Sequence, residues 1–287
     1  MLMKSLTLVN EGIFPIVYDK SGQKLSENPK TDWTIPGTIQ GEGKLAGVPS
    51  LFVRLAGCNL RCMWTMPDGS VSICDTAYAS FHPDRPADWS MDDLIDTIRC
   101  NSQMVRHLVV SGGEPMMQAE ALSEFCRRVK TELNLHITIE TNGTIFDESV
   151  AQWVDLVSLS PKLQSSDPTL AKVEGAGYHY GGTFKLHATK RVNVEAIQQW
   201  INAAHRYQHD FQLKFVVRNP DDELEIKRTF LSHLSSFRFD DVMLMPLGGN
   251  ASELSQTTAI AVEMSVRNGW RFSNRLHISL FGSRTGV

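Results

Sequence analysis

The sequence predicts an α/β fold built on a parallel sheet, and three observations carry that expectation. Short apolar runs alternate with amphipathic stretches from about residue 50 onward. Polar or glycine-bearing turns follow several of the runs. The spacing between runs, roughly 10–15 residues of helical pattern, suits repeated βα units. In chain order the candidate strands are Leu51–Leu55, His107–Val110, His136–Glu140, Leu156–Leu159, Thr183–Leu186, Phe211–Val217 and Val242–Met245. A helix is expected from Ser90, which caps a run to Cys100 with Asp93 at the capping-box position. Others are expected over Gln118–Glu132, Val194–His205, Asp221–Leu234 and Glu253–Asn268, the last closed by Asn268-Gly269. Six or seven strands in this rhythm leave two architectures open, a full or partial βα barrel and a doubly wound sheet. Two segments break the rhythm. Tyr18–Trp33 is polar and turn-rich, a surface excursion, and Thr65–Ile73 contains Asp68-Gly69, a hairpin signal.

Composition narrows the function classes. The 287 residues carry a formal net charge of −4 and are 42% hydrophobic, which excludes a disordered chain, a collagen and a coiled coil. Mild acidity argues against direct, non-specific nucleic-acid binding. No apolar run approaches the roughly 18 residues that span a membrane. The opening MLMKSLTLVNEG has too short an apolar stretch for a secretory signal. A soluble, cytoplasmic protein is therefore the expectation.

Five cysteines, an odd number, disfavour a disulfide framework. Cys58, Cys62 and Cys74 cluster in GCNLRCMW…ICDT, directly after a strand, while Cys100 and Cys126 fall on helices and read as packing residues. Three soft thiolates suit zinc or an iron–sulfur centre, and small buried residues are the alternative. Three on a four-iron cluster would leave one iron open to a small ligand. Ser111-Gly112-Gly113-Glu114-Pro115 ends a strand with a close-approach turn and offers a carboxylate. Thr141-Asn142-Gly143-Thr144, Ser160-Pro161-Lys162 and Pro246–Asn250 end others, and ligands of parallel α/β folds bind at such strand ends. Gln40-Gly41-Glu42-Gly43 could read the edge of a heterocycle, and Arg54 could clamp a carboxylate. Near the chain end, Phe272, Leu276 and Ile278 suggest that the stretch bearing Arg275 and His277 docks.

Together, TIQGEGKLAGVPSLFVRLAGCNLRC, CDT, SGGEP, ETNGT, SPK, LKFVV and the His-bearing tail after NGW resemble, over about residues 36–278, the 7-carboxy-7-deazaguanine synthases. These are QueE-type radical S-adenosylmethionine (SAM) enzymes. The resemblance implies a single α/β domain with insertions. Residues 1–35 form an N-terminal strand plus the inserted excursion, and residues 36–287 a radical SAM partial (βα) barrel with a substrate-docking tail. It implies a carbon–nitrogen lyase of queuosine-type biosynthesis that turns 6-carboxy-5,6,7,8-tetrahydropterin into 7-carboxy-7-deazaguanine and ammonia. The cofactors implied are a [4Fe–4S] cluster on Cys58, Cys62 and Cys74, SAM, and Mg²⁺ at Thr76. SAM would meet Gly112, Gly113, Glu114, Glu140, Thr141, Ser160, Pro161 and Lys162. The pterin would meet Ile39, Gln40, Gly41, Glu42, Arg54, Ser111 and His277. A flavodoxin-like electron donor and a homodimer are further implications. The sequence departs from the resemblance in three places. Thr65 stands where a third cysteine commonly follows Trp64, so Cys74 arrives after an inserted hairpin, and Met245 stands where a Gln is common. The tail also runs past the family's usual end. A glycyl-radical activase would account for the cysteines and GGEP but not for TIQGEG with Arg54, and a zinc-binding scaffold would account for the cysteines alone.

Overall fold

A computed structural model describes residues 5–287; Met1–Lys4, part of the opening stretch read for a secretory signal, lie outside the described residues. Among the described residues there are twelve strands: β1 (Ser5–Phe14), β2 (Thr38–Ile39), β3 (Pro49–Leu55), β4 (Met63–Thr65), β5 (Val71–Ile73), β6 (Ala87–Ser90), β7 (His107–Gly112), β8 (His136–Thr141), β9 (Leu156–Leu159), β10 (Asp210–Val217), β11 (Val242–Pro246) and β12 (Arg271–Phe272). Ten of them form one sheet in the order β12-β11-β10-β9-β8-β7-β3-β1-β6, with β2 beside β3. From β3 through β12 every pairing is parallel, and the strands succeed one another in chain order. A doubly wound sheet reverses its order at a switch point, and this one does not. The architecture is the partial barrel, its run left open between β12 and β6.

The strands that were legible are those buried on both faces, because a parallel strand between layers reads as a continuous apolar run. β7, for example, is buried along its whole length, and β11 likewise. Helices cover the outside: Met91–Asn101, Ala119–Arg128, Val194–Tyr207 and Ala251–Asn268. Ser90 caps the first by accepting from the Asp93 amide, as its spacing suggests. Trp200, Phe125, Phe215 and Phe230, all fully buried, fill the space between helices and sheet. The Asp221–Leu234 helix exists in pieces, an α turn followed by a π turn at Ile226–Phe230 and a 3₁₀ turn.

Three expectations change. Thr183–Leu186 is not a strand but the start of a helix, Thr183–Lys190. Thr-Phe-Lys-Leu alternates like a strand, yet Leu186 is 47% exposed while His187 is fully buried, so the inward positions follow a helical spacing. Cys126 packs in the core, but Cys100 is half-buried, its thiol against the Lys20 carbonyl of the excursion. The second segment is a hairpin, β4 with β5, closed by the three residues Pro67-Asp68-Gly69 rather than by two.

A histidine ladder ties the first parallel strands together. His107 is buried, with Nδ1 2.7 Å from the Ser50 hydroxyl on β3 and Nε2 2.7 Å from the Thr138 hydroxyl on β8. Burial, helped by neighbouring His136, lowers its pKa to about 4. The unfolded chain therefore takes up a proton near pH 6.5 that the folded one refuses until about pH 4. Stability should be full above pH 6.5 and decline through that window by up to about 3 kcal/mol from this group. Denaturant titrations at pH 7.5 and 4.5 should show a smaller drop for His107→Gln than for the wild type.

Candidate active site

The C-terminal ends of the parallel strands surround a cavity of about 270 Å³. β3 delivers the first wall. Past Leu55 the chain runs into Gly57-Cys58-Asn59-Leu60-Arg61-Cys62, a loop without regular structure whose shape is set by side-chain bonds. The Arg61 guanidinium donates to the carbonyls of Cys58 and Leu60, 2.7 and 2.8 Å away. Asn59 donates to the Thr144 hydroxyl and accepts from the Asn142 amide, both at 2.8 Å, which fastens the loop to the turn after β8.

The hairpin answers how a third cysteine can belong with two others when eleven residues separate it from the nearer one. β4 and β5 pair in antiparallel register from Met63↔Ile73 to Thr65↔Val71. The residues just outside that ladder are Cys62 and Cys74, and the Cys74 amide donates to the Cys62 carbonyl at 3.1 Å. All three thiols are free and pack on one small apolar cluster of Leu60, Trp64, Met66 and Leu247. Burial pushes the Cys58 thiol up to about 12, with the Glu114 carboxylate adding to it, and raises Cys62 and Cys74 as well. Arg61 near Cys58 and Lys162 near Cys62 and Cys74 pull the other way but do not outweigh burial, so the thiols stay protonated; a cationic centre among them reverses that balance. Among the described residues no three His, Cys, Asp or Glu side chains converge closely enough to hold a single ion. Three thiols set around a shared space fit a cubane, which offers each thiolate its own iron.

The GGEP turn closes on this loop from β7. Gly113 donates to the Leu55 carbonyl at 3.1 Å and Glu114 to the Gly57 carbonyl at 2.8 Å. A Cβ on Gly113 would stand 2.0 Å from the Gly57 oxygen and 2.9 Å from Cys58 Cβ, so only glycine fits. Glu114 itself does not face the cavity. Its carboxylate is fully buried and accepts from the Thr141 hydroxyl, the Asn142 amide and the Met116 amide. The carboxylate expected at a ligand therefore serves the strand ends. Pro161, also buried, likewise does not line the cavity. The other residues singled out from the sequence do line it: Ile39, Gln40, Gly41, Glu42, Arg54, Cys58, Cys62, Cys74, Thr76, Ser111, Gly112, Gly113, Glu140, Thr141, Ser160, Lys162 and His277.

Opposite the cysteines the cavity is charged. Lys214 on β10 donates to Glu42 Oε2 at 2.5 Å, and Arg275 Nε donates to Glu42 Oε1 at 3.0 Å. Arg275 also binds Asp75 and the Gly248 carbonyl. Burial alone would raise the Glu42 carboxyl, but the Lys214 and Arg275 cations outweigh it and hold Glu42 well below the usual carboxylate range. His277 packs on Gly41, where a Cβ would lie 2.2 Å from its Nδ1. Burial lowers its pKa, which keeps the ring neutral near pH 7. Arg54 lies 5.3 Å from the Phe14 ring centroid and donates to Ser111, yet its buried Nε has no partner. Lys214, Asp75 and Phe14 were not singled out from the sequence. Gln212, Lys214 and Val216 alternate along an otherwise apolar strand, the available signal for a polar barrel interior.

The tail forms one rim. Gly282–Val287 line the cavity, and the Tyr18–Trp33 excursion holds them through Trp33 on Phe281 (5.6 Å, edge-on) and Asp32 on Arg284 (2.8 Å). The excursion is itself anchored where Asn101 bonds the backbone of Val17 and Tyr18.

Residues 53–219, which span β3 to β10 and the cysteine loop, match the Radical SAM superfamily, whose members use a [4Fe–4S] cluster and SAM. Over 252 residues the chain is 36% identical to the 7-carboxy-7-deazaguanine synthase of Halobacterium salinarum, covering 85% of this chain and 87% of that one. It is 33% identical over 248 residues to the synthase of Rhodopirellula baltica, with 86% and 85% covered. The crystal structure of QueE from Escherichia coli shares the fold at a TM-score of 0.51 and 21% identity, over 84% of this chain and 91% of that one. The chain belongs to the 7-carboxy-7-deazaguanine synthase family of radical SAM lyases.

Gly113→Ala should leave the fold intact by circular dichroism but force the Gly57–Cys58 backbone away. Iron bound after anaerobic reconstitution should fall to a small fraction of the wild-type value.

Proposed function

We propose that this cavity converts 6-carboxy-5,6,7,8-tetrahydropterin to 7-carboxy-7-deazaguanine and ammonia, with Cys58, Cys62 and Cys74 holding the cluster. The observation that carries the reading is the sharing of one cavity by three free thiols and a half-buried arginine whose buried Nε–H is unpaired. When bound and reduced, the cluster supplies the electron that cleaves SAM to the 5′-deoxyadenosyl radical needed for hydrogen abstraction at pterin C6. Gly112, Gly113, Glu140, Thr141, Ser160 and Lys162, on the strand ends beside the cysteine loop, are the SAM contacts.

Arg54 pairs with the pterin carboxylate. Its buried Nε lacks a partner, and a half-buried guanidinium with an open donor favours an anion there. Gln40, Glu42 and Ser111 bind the heterocycle, and Lys214 and Arg275 keep Glu42 ionised as an acceptor. Neutral His277 and Ile39 with Gly41 complete that wall. Thr76 offers Mg²⁺ a hydroxyl oxygen, a hard ligand for a hard ion. A flavodoxin-like protein delivers the electron, and the enzyme works as a homodimer.

The test is anaerobic turnover with dithionite, SAM, Mg²⁺ and the carboxy-tetrahydropterin. SAM cleavage without 7-carboxy-7-deazaguanine would sink the reading. Arg54→Gln should raise the KM for the pterin by about 10²-fold, the cost of a buried charged hydrogen bond, while leaving the KM for SAM within about threefold. Thr76→Ala should raise the Mg²⁺ concentration for half-maximal rate with absorbance near 400 nm, the cluster's signature, unchanged; loss of that absorbance would mean Thr76 serves the cluster loop instead.

A further inference from the structure

We propose that His187 is a positioning residue for the cluster loop, holding Cys62 in place together with Lys172; the assignment rests on the cluster reading above. Both residues lie between β9 and β10, past the Ser160-Pro161-Lys162 turn, in a stretch that carries no cysteine and no motif assigned to the reaction. His187, on helix Thr183–Lys190, is fully buried. Its Nδ1 accepts the Arg61 amide at 3.0 Å, inside the Cys58–Cys62 loop and one residue before Cys62. Accepting through Nδ1 places the ring proton on Nε2, 3.1 Å from the Ser166 hydroxyl, which in turn donates to the Leu163 carbonyl at 2.6 Å. The direction of every bond in the chain is thereby set, from the cluster loop through the ring to the backbone after β9. One residue past Cys62, the Met63 carbonyl accepts from Lys172 Nζ at 3.0 Å, and the same ammonium donates to the carbonyls of Ser165 and Asp167.

The two contacts bracket Cys62 on either side. A loop without regular structure must find partners for its amides and carbonyls elsewhere, because buried unpaired ones are costly. Here both partners come from side chains of one distant segment. An aromatic stack fixes that segment against the loop: Phe184 lies edge-on to Phe81 at 5.6 Å, and the Arg61 guanidinium lies over the same Phe81 ring at 5.6 Å. Protein groups alone thus supply these partners of the loop.

Three substitutions of His187 separate the acceptor from the space it fills. His187→Asn keeps an acceptor atom at the Nδ1 position, His187→Gln puts one at the Nε2 position only, and His187→Leu fills the volume with none. In the iron-free protein, the Arg61 amide should exchange with solvent about tenfold faster or more in the Leu and Gln variants. In the Asn variant it should stay within about threefold of the wild type. After reconstitution, iron should be lost to a ferrous chelator faster in the same two variants. The electron paramagnetic resonance of the reduced cluster should broaden in them and stay sharp in Asn. Lys172→Met should accelerate iron loss without changing Arg61 exchange. Wild-type exchange and iron retention in His187→Leu would overturn the proposal. So would equal loss in Asn and Leu, or faster exchange with unchanged iron retention. A wild-type protein that binds no cluster at all would instead count against the cluster reading, with the exchange measurement still standing.

Discussion

The buried carboxylate of Glu114 holds the working end of the barrel together. It sits at the tip of β7 and accepts from the Thr141 hydroxyl and the Asn142 amide at the tip of β8, while its own amide donates to Gly57 in the cysteine loop. Three chain segments that carry the site therefore meet at one residue. Burial raises its pKa, and the accepted bonds work in the other direction. Each such bond to a charged acceptor contributes about 1.5–3 kcal/mol, so the three together recover a part of the carboxylate's desolvation. Asn142, Asn59 and Thr144 extend the same seam by side-chain bonds, so the loop that bears the thiols is an extension of the sheet.

The opposite wall is organised by charge rather than by backbone. Glu42, Lys214, Arg275 and Asp75 come from segments far apart in sequence, the first three largely shielded from water and Asp75 joining them from the exposed side. Lys214 and Arg275 together balance Glu42 and Asp75, which lets four charged groups occupy a small space without net repulsion. Such a set is poor at adding stability but good at fixing geometry, because moving one member leaves the others unpaired. Arg54 adds a further positive charge near Asp75 and keeps a buried N–H without a partner.

Much of this was legible in the sequence, for reasons that differ by residue. The strands from Leu51 to Met245 could be read because burial on both faces writes itself as an apolar run, and Ser90 because capping depends on local spacing. The cysteines, Gln40, Glu42 and Arg54 could be read because residues with that chemistry are rare together. Thr183–Leu186 misled because two apolar and two polar residues fit either period, and only the packing of His187 decides. Glu114 misled because a carboxylate after two glycines suits a ligand as well as it suits a strand tip. Lys214 and Asp75 stayed hidden because their partners, Glu42 and Arg275, are 172 and 200 residues away, a proximity only the barrel creates.

The β4–β5 hairpin separates two quantities usually taken as one, the number of residues between metal-binding cysteines and the distance between them. Because Cys62 and Cys74 flank the open end of an antiparallel ladder, their separation is set by one rung of strand pairing and not by the length of chain beyond it. Lengthening or trimming the ladder by whole rungs would leave both thiols where they are. A search for the site by fixed cysteine spacing therefore fails on this chain for a geometrical reason. The better signature is a pair of cysteines flanking two short segments that can pair around a turn.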